Sequence, residues 1–198
     1  MFYVTVIYSC KKKLNIIVSL CNFKALISTL CDGEASMYRS IVRWRVNGLF
    51  DQVNRGNWQA VIDTLGENFI YTFVGNTPLG GTRRTKPAMR AWFQRIYRLV
   101  PDAKLHPEMI VVEGVPWNTR VMTYVKFRGT LPKVSSAEAV PYENEIMQLM
   151  RLKWGRIVSV ITIEDTQRFV DILPALSAAG IDDATAPPIT DESAKAYS

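Results

Sequence analysis

Apolar positions in this chain recur every three or four residues in its first half and every two in its second. Val42, Val46, Leu49, Phe50 and Val53 form one helical stripe in RSIVRWRVNGLFDQVNRGN, and Gly56 ends it. NWQAVIDTL predicts a second, shorter helix with Asn57 as its N-cap. ENFIYTFVG predicts a strand, followed by a turn-rich loop, NTPLGGTRRT. In KPAMRAWFQRIYRLV, Thr85 caps a third helix and Pro87 sits in its first turn. Met89, Trp92, Phe93, Ile96 and Val100 give that helix its inward face. The stretches LHPEMIVVEG, NTRVMTYVKFRG, YENEIMQLMRLKW and GRIVSVITIED then predict four strands, and TQRFVDILPALSAAG a closing amphipathic helix. No internal repeat is present.

Composition changes at both ends of this pattern. Residues 1–36 are apolar and cysteine-bearing without an amphipathic period, and are expected to be an extension preceding a working domain of residues 37–180. The segment also meets some criteria of a signal or anchor, but Lys24 interrupts its apolar region and no small-x-small cleavage site follows. From Leu14 to Cys31 it is short and polar for a membrane span, which needs about 20 mostly apolar residues, so stable membrane insertion is not expected. Residues 181–198 are polar and proline-interrupted, and are expected to be a flexible tail.

The chain has 198 residues with a net charge of +6, and 48% of it is hydrophobic. One domain with a full core fits this length. The cations are scattered among acids, and neither an RNA-binding signature nor a zinc spacing accompanies them, so no nucleic-acid partner is expected. Cys10, Cys21 and Cys31 match no metal or redox motif. No metal or organic cofactor is expected, and the cytoplasm is the default location.

Helices gathered before consecutive antiparallel strands predict an α+β fold with the helices on one sheet face. Both strand faces are apolar, with Met147 and Leu149 on one side and Ile146 and Met150 on the other. Too few helices exist to cover both, so a second subunit is expected on the outer sheet face, giving a homodimer.

The order of two opening helices, FIYTFVG, NTPLGG, AMRAWFQRIY and closing strands with GRI and EDTQ resembles the nuclear-transport-factor-2-like superfamily. More narrowly, it is similar to the SnoaL-like and ketosteroid-isomerase-like branch over residues 38–175. The resemblance implies a single domain in which a cone-shaped curved sheet wraps on helices around a central cavity. Alternate residues of the last two strands would line that cavity, making Asn144, Gln148, Thr162 and Glu164 polar points in an otherwise apolar pocket, with Val160 among them. Thr72, Trp92 and Tyr124 complete the expected ligand-binding set.

Carried over residue by residue, the catalytic groups of the branch are not retained. The isomerase base position is Thr72, the tyrosine position lies near Leu49, and the second aspartate position is Gln148. The cyclase acid/base position is Thr162, and the epoxide-hydrolase positions are Tyr124, Lys126 and Thr162. Glu164 and Lys126 are the remaining candidate catalytic pair, a carboxylate and an amine that would shift each other's pKa. A structural ion pair or a snorkelling lysine is the competing reading.

Other residues take plain roles. Asp165 is expected to cap the last helix. His106 has no partner cluster in sequence and is expected to be structural. Arg83 and Arg84, in a loop read as a candidate lid, are expected to be solvated, with contact to an acidic ligand as the competing role. Trp117 and Trp154, near turns, would mark a dimer surface or a pocket rim.

The reading is a protein that binds a small, mostly apolar molecule in its cavity, with cofactor-independent acid/base chemistry of the isomerase, cyclase or hydrolase type. The alternatives are a non-catalytic binding module and a dimeric association module.

Overall fold

The computed structural model describes residues 36–131 and 140–194. The chain divides into two units, Met1–Met37 and Tyr38–Ser198, and the second carries the fold. The expected N-terminal extension and its three cysteines lie outside the described residues up to position 35.

The helical stripe forms α1 (residues 36–54), which buries Val42, Val46, Phe50 and Val53. Gly56 follows with φ +82°, a conformation that closes a helix without steric cost only for glycine. Next comes α2 (Gln59–Thr64), one turn and a half, which begins at Trp58 with no side-chain cap. Asn57 does not cap it; its amide donates to Gln52 Oε1 at 2.8 Å instead.

The sheet contains β1 (Leu65–Phe73), β2 (Gly81–Arg83), β3 (Lys104–Val115), β4 (Asn118–Leu131), β5 (Val140–Lys153) and β6 (Arg156–Glu164). Its order is β2-β1-β6-β5-β4-β3. Every neighbouring pair is antiparallel except β1 and β6, which run parallel. Strand β2 is a departure from the sequence reading, which left the segment as loop. Three residues carry no periodicity, and only pairing with β1 (Tyr71 opposite Arg83, Thr72 opposite Thr82) makes them a strand.

The sheet is curved and unclosed. Register shifts interrupt β3–β4 between Pro107 and Met109 and β5–β6 between Arg151 and Leu152. Extra residues of this kind bend a strand, and Pro107 lacks the N–H to continue a ladder. The second shift also moves the inward position on β6 from Val158 to Ile157.

Helix α3 (Lys86–Leu99) lies on the concave face. Thr85 caps it by accepting from the Ala88 N–H, and Met89, Trp92, Phe93 and Leu99 are buried. Helix α4 (Thr166–Ala178) follows β6 directly; Asp165 caps it, accepting from the Arg168 N–H at 3.3 Å. At N-caps such bonds contribute about 1 kcal/mol.

Residues 181–194 depart from the expected tail. Ala184, Ile189 and Ala194 are buried, and Asp183 forms ion pairs with Arg95 and Arg98 of α3. Asp191 accepts from the N–H groups of Arg84 and Thr85 at the start of α3. Few apolar residues in a proline-rich segment hide such docking from composition, because its partners are one buried and one exposed arginine and orphan amides supplied by a distant helix.

Candidate functional site

A pocket of about 130 Å³ lies between the concave sheet face and α1, α2, α3 and α4. Its volume resembles engineered apolar cavities of ~150 Å³ that hold a benzene-sized molecule. Its walls are apolar, including Phe50, Leu79, Met89, Trp92, Ile146 and Phe169. Tyr71, Tyr97, Tyr142, Gln148, Thr162 and Glu164 supply the polar groups.

Apart from Tyr97 on α3, these polar groups are placed by strand alternation. On β6, Val160, Thr162 and Glu164 face inward, and on β5 Ile146 and Gln148 do so beside them. Gln148 stands opposite Thr162, and its Nε2 donates to Thr162 Oγ1 at 3.3 Å. Thr162 in turn donates to the Tyr71 phenol oxygen at 3.0 Å. The threonine proton is used toward Tyr71, so the phenol's own proton is free to point elsewhere. Burial, partly offset by the Thr162 hydrogen bond, pushes the Tyr71 pKa up to about 12, so the phenol is a neutral donor across the physiological range.

Glu164 is the next inward position on β6 after Thr162. Its Oε2 accepts from Asn144 Nδ2 at 3.2 Å, while its buried Oε1 has no hydrogen-bond partner. Burial first, and then the neighbouring Asp165 charge, push its pKa up to about 8. A carboxyl group in that position is mostly protonated at neutral pH and can both give and take a proton. Asn144 also donates to Tyr142 Oη and the Asp165 carbonyl, and its Oδ1 accepts the Glu145 N–H. Burial also raises the Tyr142 pKa, followed by the charge of Glu164.

The structure therefore brings Trp92, Gln148, Val160, Thr162 and Glu164 to one pocket. Four expected site residues are elsewhere. Lys126 and Tyr124 project from the opposite face of β4, because Val121, Thr123, Val125 and Phe127 take the inward positions. Lys126 stands across the ladder from Glu145 and does not pair with Glu164. Thr72 also faces outward, donating or accepting at 3.0 Å with Thr82; the inward residue is its neighbour Tyr71. Asn144 is inward but lies outside the pocket lining, orienting Glu164 from behind.

Tyr71 was missed by sequence reasoning, although Phe69, Tyr71 and Phe73 form an apolar period-two set that marks the buried face. Arg83, expected to be solvated, is 0% exposed. His106 stands opposite Lys126 on the outer strands. Trp117 and Trp154 are exposed and pack on each other at the two hairpin turns, with centroids 5.9 Å apart.

Among the described residues, no cluster of His, Cys, Asp and Glu could hold a metal. None of their helices is long and apolar enough to cross a membrane.

This arrangement matches the SnoaL-like domain family over residues 46–160. The chain belongs to that family, within the nuclear-transport-factor-2-like superfamily. Among solved structures, PrhC from Penicillium brasilianum superposes with a TM-score of 0.60 at 14% identity, covering 74% of this chain and 94% of that one. IdmH from Streptomyces antibioticus, a proposed polyketide cyclase, gives 0.54 at 19% identity, covering 67% and 98%. An LEH-like epoxide hydrolase of M. tuberculosis gives 0.52 at 15% identity, covering 73% and 98%. At these identities the likeness is one of fold. No curated protein sequence matches the chain.

Proposed function

We propose that this protein binds a small, mostly apolar molecule in the pocket and that Glu164 exchanges a proton with it. One observation carries this reading: a carboxyl oxygen of Glu164 is buried without a partner in an apolar pocket. Such an orphan costs about 1–3 kcal/mol, a cost a ligand hydroxyl or carbonyl would offset. The pKa of about 8 suits a group that protonates a ligand oxygen and is reprotonated from solvent. Tyr71 and Gln148 would hold a second ligand oxygen. Proton transfer alone is required of the chain.

The full-length protein tests this by native mass spectrometry with a panel of compact carbonyl and hydroxy compounds, followed by incubation of each bound compound in D₂O. Wild-type protein is expected to place deuterium on the bound compound, and Glu164→Gln to bind it without exchange. Binding without exchange in the wild type would leave a non-catalytic binding module. Lys126 on the opposite face supports that second reading, because among the described residues Glu164 then forms no ion pair. No binding at all would overturn the pocket reading.

We also propose that a second copy covers the outer sheet face. Met122, Leu149 and Ile161 form one exposed apolar row across three strands, and Tyr124, Met147 and Ile163 form the next, with Met147 in the middle. A solvated antiparallel face is ordinarily polar.

A further inference from the structure

Arg83 is the most deeply buried charge among the described residues, at 0% exposure. Its guanidinium donates to the carbonyls of Leu79 at 2.7 Å, Gly81 at 3.3 Å and Gly80. No carboxylate oxygen among the described residues lies within 4.0 Å of it. Its Nε has no partner. By contrast, buried Arg95 is matched by Asp183 at 3.0 Å. Three carbonyl dipoles solvate the Arg83 cation, and the charge of Asp191, held on the Arg84 and Thr85 N–H groups, offsets it only from beyond ion-pair distance; a buried charge without a direct partner is otherwise expensive.

The position of that charge is informative. Arg83 stands opposite Tyr71 across the β2–β1 ladder and its Cζ lies 5.2 Å from the Trp92 ring centroid. Tyr71 and Trp92, themselves 5.0 Å apart between ring centroids, separate the cation from the pocket that both of them line. The Arg83 charge therefore acts on the part of the pocket wall where Tyr71 and Gln148 present hydrogen-bond donors. Gln148 Nε2 has a second hydrogen beyond the one given to Thr162.

We propose that the pocket selects compact apolar molecules bearing an anionic oxygen, with Arg83 supplying the charge and Tyr71 and Gln148 the hydrogen bonds. This rests on the pocket reading above and names the ligand class for it. Arg83 touches no ligand atom and acts as a positioning and field residue. Glu164, two residues from Thr162 on β6 and close enough for its charge to act on Tyr71, must be protonated for the anion to enter.

Benzoate and benzamide form a nearly isosteric pair, one charged and one neutral, of a size matched to the pocket. Each is titrated into the full-length protein while methyl NMR signals of Leu79 and Met89 report occupancy of the pocket. Wild-type protein is expected to bind benzoate about tenfold or more tightly than benzamide, the scale of one partly screened charge pair in a protein. Raising the salt concentration should leave much of that preference, since buried charges are screened less than surface ones. R83M should bring the ratio close to one with benzamide affinity unchanged, and R83K should keep the preference. If R83M fails to fold, the wild-type ratio and R83K carry the test. A wild-type ratio near one, or equal losses for both compounds in R83M or R83K, would overturn the proposal and leave Arg83 a structural residue. If neither compound moves the pocket signals, the pocket reading fails first and this proposal falls with it.

Discussion

Thr162 donates its hydroxyl proton to the Tyr71 oxygen at 3.0 Å, across the only parallel strand pair of the described sheet. That bond orients the phenol and leaves its proton for the pocket. Tyr71→Phe should cost about 1 kcal/mol in urea denaturation, the usual value of one hydrogen bond. It should also weaken binding of oxygen-bearing ligands far more than that of hydrocarbons. Equal loss for both classes would mean that the phenol serves packing alone.

Glu164 sets a pH dependence whose sign is determined. Its folded-state pKa of about 8 lies above the ordinary glutamate value of 4.5, so between these values the native state holds a proton that the unfolded state has released. Its contribution to stability is full below the lower value and declines as pH rises through about 8. The local slope has an upper limit of about 1.4 kcal/mol per pH unit. Denaturant titrations between pH 5 and 9 should show this decline in wild-type protein and a flatter profile in Glu164→Gln.

Gly80 is held by close backbone approach. A Cβ there would lie 2.0 Å from the Gly75 carbonyl oxygen, with no flexible side chain to yield. Gly80→Ala should destabilise by about 2–4 kcal/mol, at the high end for overpacking. Thermal unfolding should show a fall of about 5–15 °C for a chain of this size.

Asp183 joins the C-terminal segment to α3 through Arg95 and Arg98. Burial raises its pKa, but hydrogen bonding and charge from the two arginines outweigh this and hold it below the ordinary value. Its stabilisation is therefore present at neutral pH and lost as pH falls through that lowered value. Asp183→Asn should cost about 2–3 kcal/mol at pH 7, less than the loss of a fully buried pair, because Arg95 keeps bonds to Pro78 and Pro187. The difference from wild type should shrink in acid.

Met147 and Leu149 are each 46% exposed on the outer face. If a second copy covers them, Met147→Lys with Leu149→Lys should shift sedimentation from dimer to monomer while leaving the pocket signals in place. A monomeric wild-type protein would discard the dimer reading.

Much of the fold is legible in local pattern. The stripe of α1, the Thr85 and Asp165 caps and the long strands all follow from periodicity and capping chemistry. On β5 and β6 the alternation also places Gln148, Thr162 and Glu164 together, because polar residues interrupt an otherwise apolar face. The phase of β1 and β4 is less plain. A one-residue shift exchanges the two faces of a strand, and both faces of VMTYVKF carry apolar residues. Family positions therefore led to Thr72, Tyr124 and Lys126, while packing turned Tyr71, Thr123 and Val125 inward.

The amino-acid sequence by itself determined the order and type of the elements and the stock of polar groups on the last two strands, since these depend on near neighbours. Tertiary structure alone decided that Arg83 is buried while Arg84 is exposed, and that residues 181–194 close against α3. It likewise separated Lys126 from Glu164. These outcomes depend on pairing between segments far apart in the chain, where a side chain's surroundings come from partners that no local pattern names.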